Sequence, residues 1–517
     1  MENITSKNFF KTHLPADKQT WKLFLKMTIP VVIGELIFAL IGFVDNFMVT
    51  HIPNGINALS YANTWTGILM IFFMTINILA SMLVGQYYGS KQYSNLNQIM
   101  ALRVWTYLII ATAFFIPVWV APEKMITIVA PLDDASLESS VKYLQYISFS
   151  WFGLAIAWNT NGLLNEAGKS KFALFSAIGA LLSNITINAI FIYGLKQGAE
   201  SAAFGTIISL AVNITLDEIW MYWQDKNIWI NPKNLFKITN KIFKVYAKRI
   251  FAFGVAIGGM IVIPMRMFLW NRAYPPGSVG EDYMRLSAAS VLTLTESLAS
   301  IFSATTAACG ANVSVFVASQ LGKGNFDLAQ KNAKSLKGFH SLLSLFFSLL
   351  LVAFSLIIYM TGALSNGSQT EVMERMSSVD FDQSIISALS VEFNITDKQL
   401  IIEKAAANAA NQSVLVLLTT SLVIAAVNPL WNWFYTTSAV ISSGGRTTLS
   451  GVTTYISQWA HLLWLILIAF VIVPRSHISL PIAYVLFYLF DIIRLIIYEI
   501  VQYKFNWLIN ITQTHKS

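Results

Sequence analysis

A single cysteine, Cys309, stands in a chain of 517 residues. No disulfide can close within the chain, and neither a CxxC redox pair nor a Cys/His zinc site can be assembled. The thiol lies in an apolar run, where a free cysteine packs as a small hydrophobe. Histidine is also sparse: the six residues are scattered, and His461 alone falls inside an apolar run. Neither an HExxH pair nor a glycine-rich loop closed by Lys-Ser/Thr occurs. An intramembrane enzyme needs clustered nucleophiles, acid/base groups or metal ligands at membrane depth, so that reading is the least favoured, and direct ATP hydrolysis has no motif to carry it. The N-terminus lacks a short apolar core followed by a small-residue cleavage site. Its first apolar run is long enough to span a bilayer and is expected to serve as an uncleaved insertion signal.

Charged residues are scarce too. They make up 12% of the chain, against about a quarter in soluble proteins. Hydrophobic residues reach 55%, and the mean hydropathy is +0.59. They gather in segments of about 18 to 25 residues, which is bilayer length. Twelve such runs fall between residues 24 and 503, so the expected fold is an all-α polytopic membrane protein. The net charge of +8 is explained by topology rather than by nucleic acid, because the basic residues sit in short loops between apolar spans. Lys7, Lys11, Lys18, Lys22 and Lys26 precede the first span, and Lys226, Lys233, Lys237, Lys241, Lys244, Lys248 and Arg249 follow the sixth. Lys323, Lys331, Lys334 and Lys337 follow the eighth. All fall on one side, and positive loops stay inside. A multi-pass cell-membrane protein with both termini cytoplasmic is expected. Asp133, Asp134, Glu138 and the polar stretch 363–412 then fall outside.

The chain also repeats itself. "VGQYYGSKQYSNL" (84–96) and "VASQLGKGNFDL" (317–328) each end a long span with glycine, a polar turn and an aromatic. "NEAGKSKFALFSAI" (165–178) pairs with "ISSGGRTTLSGVTTYI" (441–456) in the same way. Two six-helix lobes follow, expected at 23–224 and 250–504. A cytoplasmic segment (1–22) precedes them, a basic connector (225–249) joins them, and a cytoplasmic tail (505–517) ends the chain. The stretch 363–412 is expected as an extracellular insertion in the second lobe, either flexible or a small external helix. An even number of spans per half makes the repeat parallel, with a pseudo-two-fold axis along the membrane normal and a cavity between the lobes.

These motifs resemble the multidrug and toxic-compound extrusion (MATE) family of transporters, within a wider group that includes lipid-linked oligosaccharide flippases. "TIPVVIGELIFALIGFVDNFMV" resembles the family's first helix, with Pro early and Val-Asp late, and "VGQYYGSKQ" its turn after the second. "NEAGKSKFALFSAIGALLSNITINAIFIYG" with "GAESAAFGTIIS" resembles its fifth-helix and sixth-helix block. The likeness runs over about residues 20–505, apart from 363–412. It implies an ion-coupling site on Asp45, Asn184, Asn188 and Thr206, with H+ or Na+ as coupling ion and no other cofactor or metal. Asn188 departs from the pattern, since the family often has Asp there. The family's carboxylate on the seventh helix has no match, and Arg266 is offered instead.

The residues themselves support part of this. A carboxylate such as Asp45 at bilayer depth costs about 2.5–3.5 kcal/mol on insertion scales, so such residues usually face a cavity or bind an ion. Asn184 and Asn188 are one helical turn apart and share a face. Glu35 lies about 15 Å from Asp45 along the helix and points elsewhere. Arg266 and Glu296 are the clearest intramembrane base and acid of the second half, and a structural pair between them is expected. Asp491 and Arg494, three apart, suit a local ion pair. Met70, Met74, Trp431, Trp433 and Tyr435 are candidate cavity residues, and Pro30, Gly34 and Pro264 are candidate bending points. The expected function is a secondary antiporter, acting as a monomer, that exports organic, cationic drugs or toxic metabolites against inward H+ or Na+. A flippase for lipid-linked oligosaccharides is the alternative, although the spans supply it mainly with Arg266 and Arg494 as cations.

Overall fold

The computed structural model describes residues 12–49, 51–52, 55–129, 137–260, 262–275, 288–363, 365–377 and 383–513. Lys7, Lys11, Asp133 and Asp134 lie outside the described residues, as does the side chain of Pro264. The architecture is helical throughout, with no strand among the described residues. Spanning a bilayer forces this choice, because each backbone polar group needs a partner within its own segment.

In the first half the main helices are α1 (Lys18–Met48), α2 (Gly55–Gly89), α3 (Tyr93–Val120) and α4 (Leu137–Ser148). They are followed by α5 (Ser150–Glu166), α6 (Ser170–Asn188) and α7 (Ala202–Gln224). The second half holds α8 (Asn240–Met260), α9 (Val262–Ala273), α10 (Ala288–Phe302), α11 (Thr305–Val313) and α12 (Ser319–Lys323). It continues with α13 (Phe326–Thr361), α14 (Asn366–Ser377), α15 (Gln383–Phe393), α16 (Lys398–Ser443), α17 (Thr447–Leu467) and α18 (Leu480–Lys504). Among the described residues, nine spans are long and apolar enough to cross a bilayer. The bent pair Val291–Phe302 and Thr305–Lys323, turned by 43°, makes a tenth. Of the other two expected spans, one is interrupted at Phe149 between α4 and α5, and the other is covered by α8 and α9 on either side of residue 261, which lies outside the described residues. The order agrees with twelve segments.

The first helix starts on a cap. Asp17 accepts the Thr20 N–H at 2.8 Å and the Thr20 hydroxyl at 2.9 Å, which satisfies an otherwise orphaned donor. The N–H of Thr20 holds the Asp17 carboxyl below the usual aspartate range.

Packing divides unevenly along the molecule. Toward the ends that carry the lysine-rich loops, the halves share cores: Phe24, Met27 and Met82 pack with Val313, Val317 and Phe339, and Val31 and Val32 pack with Ala308. Toward the opposite ends each half has its own core. One is built around Leu69, Phe73 and Trp151, the other around Trp270, Leu417 and Phe487. The halves therefore close at the lysine-rich end and part toward the other.

The repeated glycine motifs make that closure. A Cβ on Gly89 would lie 2.0 Å from the Ser319 carbonyl oxygen, and one on Gly322 would lie 2.1 Å from that of Gln86. Only residues without a side chain let the two backbones approach so closely. The two copies of the motif are thus each other's packing partners.

Three of the expected segments acquire structure. The stretch 363–412 holds two short helices, α14 and α15, and the first turns of α16, whose 46 residues make a rod about 69 Å long. Val372, Met376, Ile386 and Leu389 pack on Ile401, Ala405 and Ala409 in the core of the second half, so the stretch is a folded cap. Its polar residues hid the one-faced apolar pattern. The connector is shorter than 225–249, because α8 begins at Asn240. Its Thr239 N–H and hydroxyl both donate to Gln98 Oε1 at 2.8 Å, tying it to α3. The tail beyond Lys504 is folded onto the seam. Gln86 Nε2 donates to Ser443 O (2.5 Å) and Ile509 O (3.0 Å), and Gln86 Oε1 accepts Ile511 N–H at 2.8 Å. Asn510 Nδ2 donates to Gly322 O at 3.2 Å.

Candidate ion-coupling site

Asp45 projects from α1 into the interior of the first half and is 4% exposed. Its Oδ1 accepts Nδ2 of Asn184 at 2.9 Å and Nδ2 of Asn188 at 2.6 Å, both from α6. Its Oδ2 accepts the Thr206 hydroxyl from α7 at 2.9 Å. All four residues that the family resemblance singled out therefore meet at one carboxylate. Among the described residues no ion pair reaches Asp45. Three donors, rather than a base, offset the cost of burying the charge.

Local structure explains how three helices come so close. Gly205 lies against Asn188, where a Cβ would stand 2.0 Å from Asn188 Oδ1. Immediately after Asn188, α6 widens into a π turn over Ala189–Gly194. Such turns re-aim backbone and side chains and occur frequently at functional sites. Asn188 Oδ1 is buried with no hydrogen-bond partner among the described residues, so the site has spare acceptor capacity.

Glu35 sits on another face of α1 and is exposed, so it does not join this cluster. Glycine neighbours it: nothing lies within 4 Å of a Cβ built on Gly34, and Pro30 is accommodated inside the same helix.

The second half carries a different set. Arg494 and Asp491 form the expected local pair at 2.6 Å, both buried, and Trp431 Nε1 donates to Asp491 Oδ2 at 2.7 Å. His461 stacks on Phe487 with 3.9 Å between ring centroids. Arg266 does not pair with Glu296 within 4 Å, contrary to expectation. It donates to Gln458 Oε1 at 2.5 Å and lies over the Phe487 ring at 5.6 Å, while Glu296 stays exposed. Helix rotation decides such pairing, and apolar length alone does not reveal it.

Of the candidate cavity residues, Met74 (42% exposed) and Tyr435 (40% exposed) keep open surface, and Met70 packs against the core of the first half. The two tryptophans are committed elsewhere: Trp431 to Asp491, and Trp433 to Glu499 Oε1 at 2.9 Å. Cys309 is buried as expected, its Sγ 3.5 Å from Asn432 Oδ1.

Two ion pairs and one lone buried acid were not foreseen from the sequence. Arg103 and Glu166 form a fully buried pair at 2.8 Å, completed by Asn159 Oδ1 at 2.7 Å and Asn77 Oδ1 at 2.9 Å. Lys337 pairs with Glu499 at 2.6 Å, where Thr437 also donates at 2.9 Å. Asp217 is buried on α7 beside Thr160. Their signal was charge inside or at the edge of apolar runs.

Fold and site together define a class: a polytopic helical membrane protein of two repeated halves, with a donor-held carboxylate in the first. The comparisons say which proteins the chain is similar to. The model of the MatE family matches residues 30–190, which include Asp45, Asn184 and Asn188. Uncharacterized transporter YisQ of Bacillus subtilis (strain 168) is 24% identical over 205 residues, covering 39% of this chain and 44% of the relative. Multidrug export protein MepA of Staphylococcus haemolyticus (strain JCSC1435) is 19% identical over 249 residues, covering 48% and 54%. The chain thus spans about half the length of the curated relatives it matches. An outward-facing multidrug resistance MATE family transporter of the MOP superfamily superposes with a TM-score of 0.67 at 15% identity, over 93% of this chain and 95% of that one. A MOP superfamily transporter from Pyrococcus furiosus gives 0.69 at 15% identity, with the same coverage of both chains. The resemblance to the MATE family is borne out by family model, curated relatives and fold together.

Proposed function

We propose that the protein is a secondary active exporter that expels organic cations from the cell in exchange for inward-moving protons. The observation that carries this reading is the buried Asp45 carboxylate, held by three donors from two other helices and by no base. The lysine-rich end is taken as cytoplasmic, since positive loops stay inside. The halves are closed at that end, so the cleft faces outward. Glu35, exposed on α1, supplies a negative charge for a cationic substrate, and Met74 and Tyr435 supply apolar and aromatic surface.

The chemistry follows from the hydrogen bonds. As a carboxylate, Asp45 uses both amides and the Thr206 hydroxyl. A proton arriving from outside removes the charge that those donors serve, and the neutral acid must itself donate. The α1–α6–α7 contacts then rearrange, and α1, with Pro30 and Gly34 in it, shifts relative to the second half. Coupling comes only from the different proton affinity of the two arrangements. Protons are favoured over sodium because both amides present N–H groups to Asp45, whereas sodium is held by oxygen atoms.

The test is transport of a fluorescent organic cation by the full chain in proteoliposomes, with a pH gradient alone or a sodium gradient alone. Transport under the pH gradient alone supports the reading. Transport that follows sodium and ignores pH overturns the proton assignment, and transport under neither gradient overturns antiport.

A further inference from the structure

Asp217 is a second carboxylate in the first half that the cluster at Asp45 leaves unexplained. It is fully buried. Its Oδ2 accepts the Thr160 hydroxyl from α5 at 2.9 Å, and its Oδ1 has no hydrogen-bond partner among the described residues. Ser176 of α6 stands beside it but gives its own hydroxyl to Phe172 O at 3.2 Å. Glu218, the next residue on α7, adds a like charge beside it, and among the described residues no ion pair reaches Asp217. Arg103 and Glu166 satisfy each other instead. An acid with one donor and no counter-charge is costly inside a bundle, and such residues in membrane proteins commonly belong to proton relays.

The placement of Asp217 says which relay. Thr206, Ser209, Asn213 and Asp217 follow one another on α7 at intervals of three and four residues, so they line one face. Ser209 and Asn213 are both buried, and Ser209 donates to Thr206 O at 2.8 Å. At its two ends the face meets neighbouring helices: Thr206 shares Asp45 with Asn184 and Asn188 of α6, and Asp217 takes the Thr160 hydroxyl of α5 with Ser176 of α6 beside it, all of them buried except the partly buried Thr206. A polar seam on α7 therefore runs from the Asp45 cluster to Asp217, about 16 Å along the axis. It ends near the lysine-rich connector that follows Gln224.

We infer that Asp217 is a proton-relay residue, receiving the proton that Asp45 releases and passing it toward the lysine-rich side. The inference rests on the proton-coupled reading above. In the step, the O–H bond at Asp45 breaks and water in the seam carries the proton past Ser209 and Asn213. A new O–H bond forms at Asp217 Oδ1, leaving Asp45 as carboxylate. Asp217 then gives the proton to water on the lysine-rich side, near Glu218, and returns to its starting state. A lone carboxyl with one hydroxyl neighbour suits a proton better than a metal ion, which needs several oxygen ligands.

The test uses the full chain in proteoliposomes with an entrapped pH dye and ethidium as the transported cation. Two rates are compared: ethidium movement driven by a pH gradient, and ethidium–ethidium exchange at equal pH, which needs no net proton transfer. Asp217→Asn keeps the shape and the Thr160 contact, and is expected to slow gradient-driven transport and proton flux by about tenfold or more while leaving exchange unchanged. Asp217→Glu is expected to recover most of the driven rate. Asn213→Leu, which fills the seam with apolar bulk, is expected to reproduce the Asp217→Asn pattern, and it decides the matter if Asp217→Asn is not monodisperse. Wild-type driven transport in these variants overturns the relay, and so does an equal fall in both rates, which marks a structural role. A wild-type protein that moves ethidium without proton flux overturns the coupling reading itself.

Discussion

Asn188 gives its amide N–H to Asp45 at 2.6 Å while its own Oδ1, buried beside Gly205, has no partner among the described residues. The residue thus satisfies the carboxylate and leaves itself unsatisfied. Buried polar atoms normally find partners. A second arrangement that brought a donor to this acceptor would offset that cost, and the proposed ion-driven step uses such a rearrangement.

Asp45→Asn is expected to abolish gradient-driven export while leaving expression and membrane insertion intact. Growth of cells challenged with toxic dyes, together with dye efflux measured directly, checks this. Full retained efflux would remove Asp45 from the mechanism. Asn188→Asp places a second carboxyl beside the first, and like charges so close do not ionise independently. The variant is expected to gain a dependence on sodium, read as transport under a sodium gradient at equal pH.

Gly89→Ala drives a methyl group toward the Ser319 carbonyl oxygen, at 2.0 Å before any relaxation. Overpacking of this kind costs about 1–3 kcal/mol. Because the strained contact joins the two halves rather than lying within one, the variant is expected to unfold at lower temperature and to bind thiol reagents faster at cysteines placed along the lysine-rich end. Unchanged labelling would mean that the halves do not depend on this contact.

Removing one partner of the Arg103–Glu166 pair leaves the other charged and buried. Arg103→Met or Glu166→Gln alone is expected to destabilise the protein by about 3–5 kcal/mol. The double variant is expected to be closer to wild type than either single one, and a thermal-unfolding double-mutant cycle in detergent measures the difference.

Asp17 gives a pH dependence whose sign is fixed. Its folded carboxyl is held below the usual range by the Thr20 N–H. A depressed acid contributes stability that is complete above its unfolded value and is lost as pH falls through the folded one. Amide exchange at Thr20, corrected for its intrinsic pH dependence, is therefore expected to accelerate as the solution is acidified below the ordinary aspartate range. Asp17→Ala should exchange fast at every pH, and a wild-type protection factor that ignores acid would dismiss the cap.

Apolar length made the spans legible, because the bilayer sets a minimum run that few other structures need. The paired glycine turns also announced the two halves, although their meeting face to face at Gly89 and Gly322 follows only from helix placement. The cluster at Asp45 was legible through family motifs rather than through spacing: Asn184 and Thr206 stand 139 and 161 residues from Asp45. Pairings such as Lys337–Glu499 depend on how each helix is rotated, which a weakly amphipathic span does not encode. The same limit hid the release of Arg266 from Glu296. The sequence leaves residues 363–412 open between a flexible insertion and a small external helix, because short polar helices resemble loops in hydropathy.

The chain beyond Lys504 carries a consequence for turnover. One glutamine side chain, that of Gln86, grips the backbone at Ser443, Ile509 and Ile511, while Asn510 grips Gly322. The segment after Lys504 is therefore a bolt drawn across both leaves of a door. In the proposed exchange cycle, opening that end of the molecule requires these hydrogen bonds to break, so turnover would include the undoing of a short peptide as well as the tilting of helices.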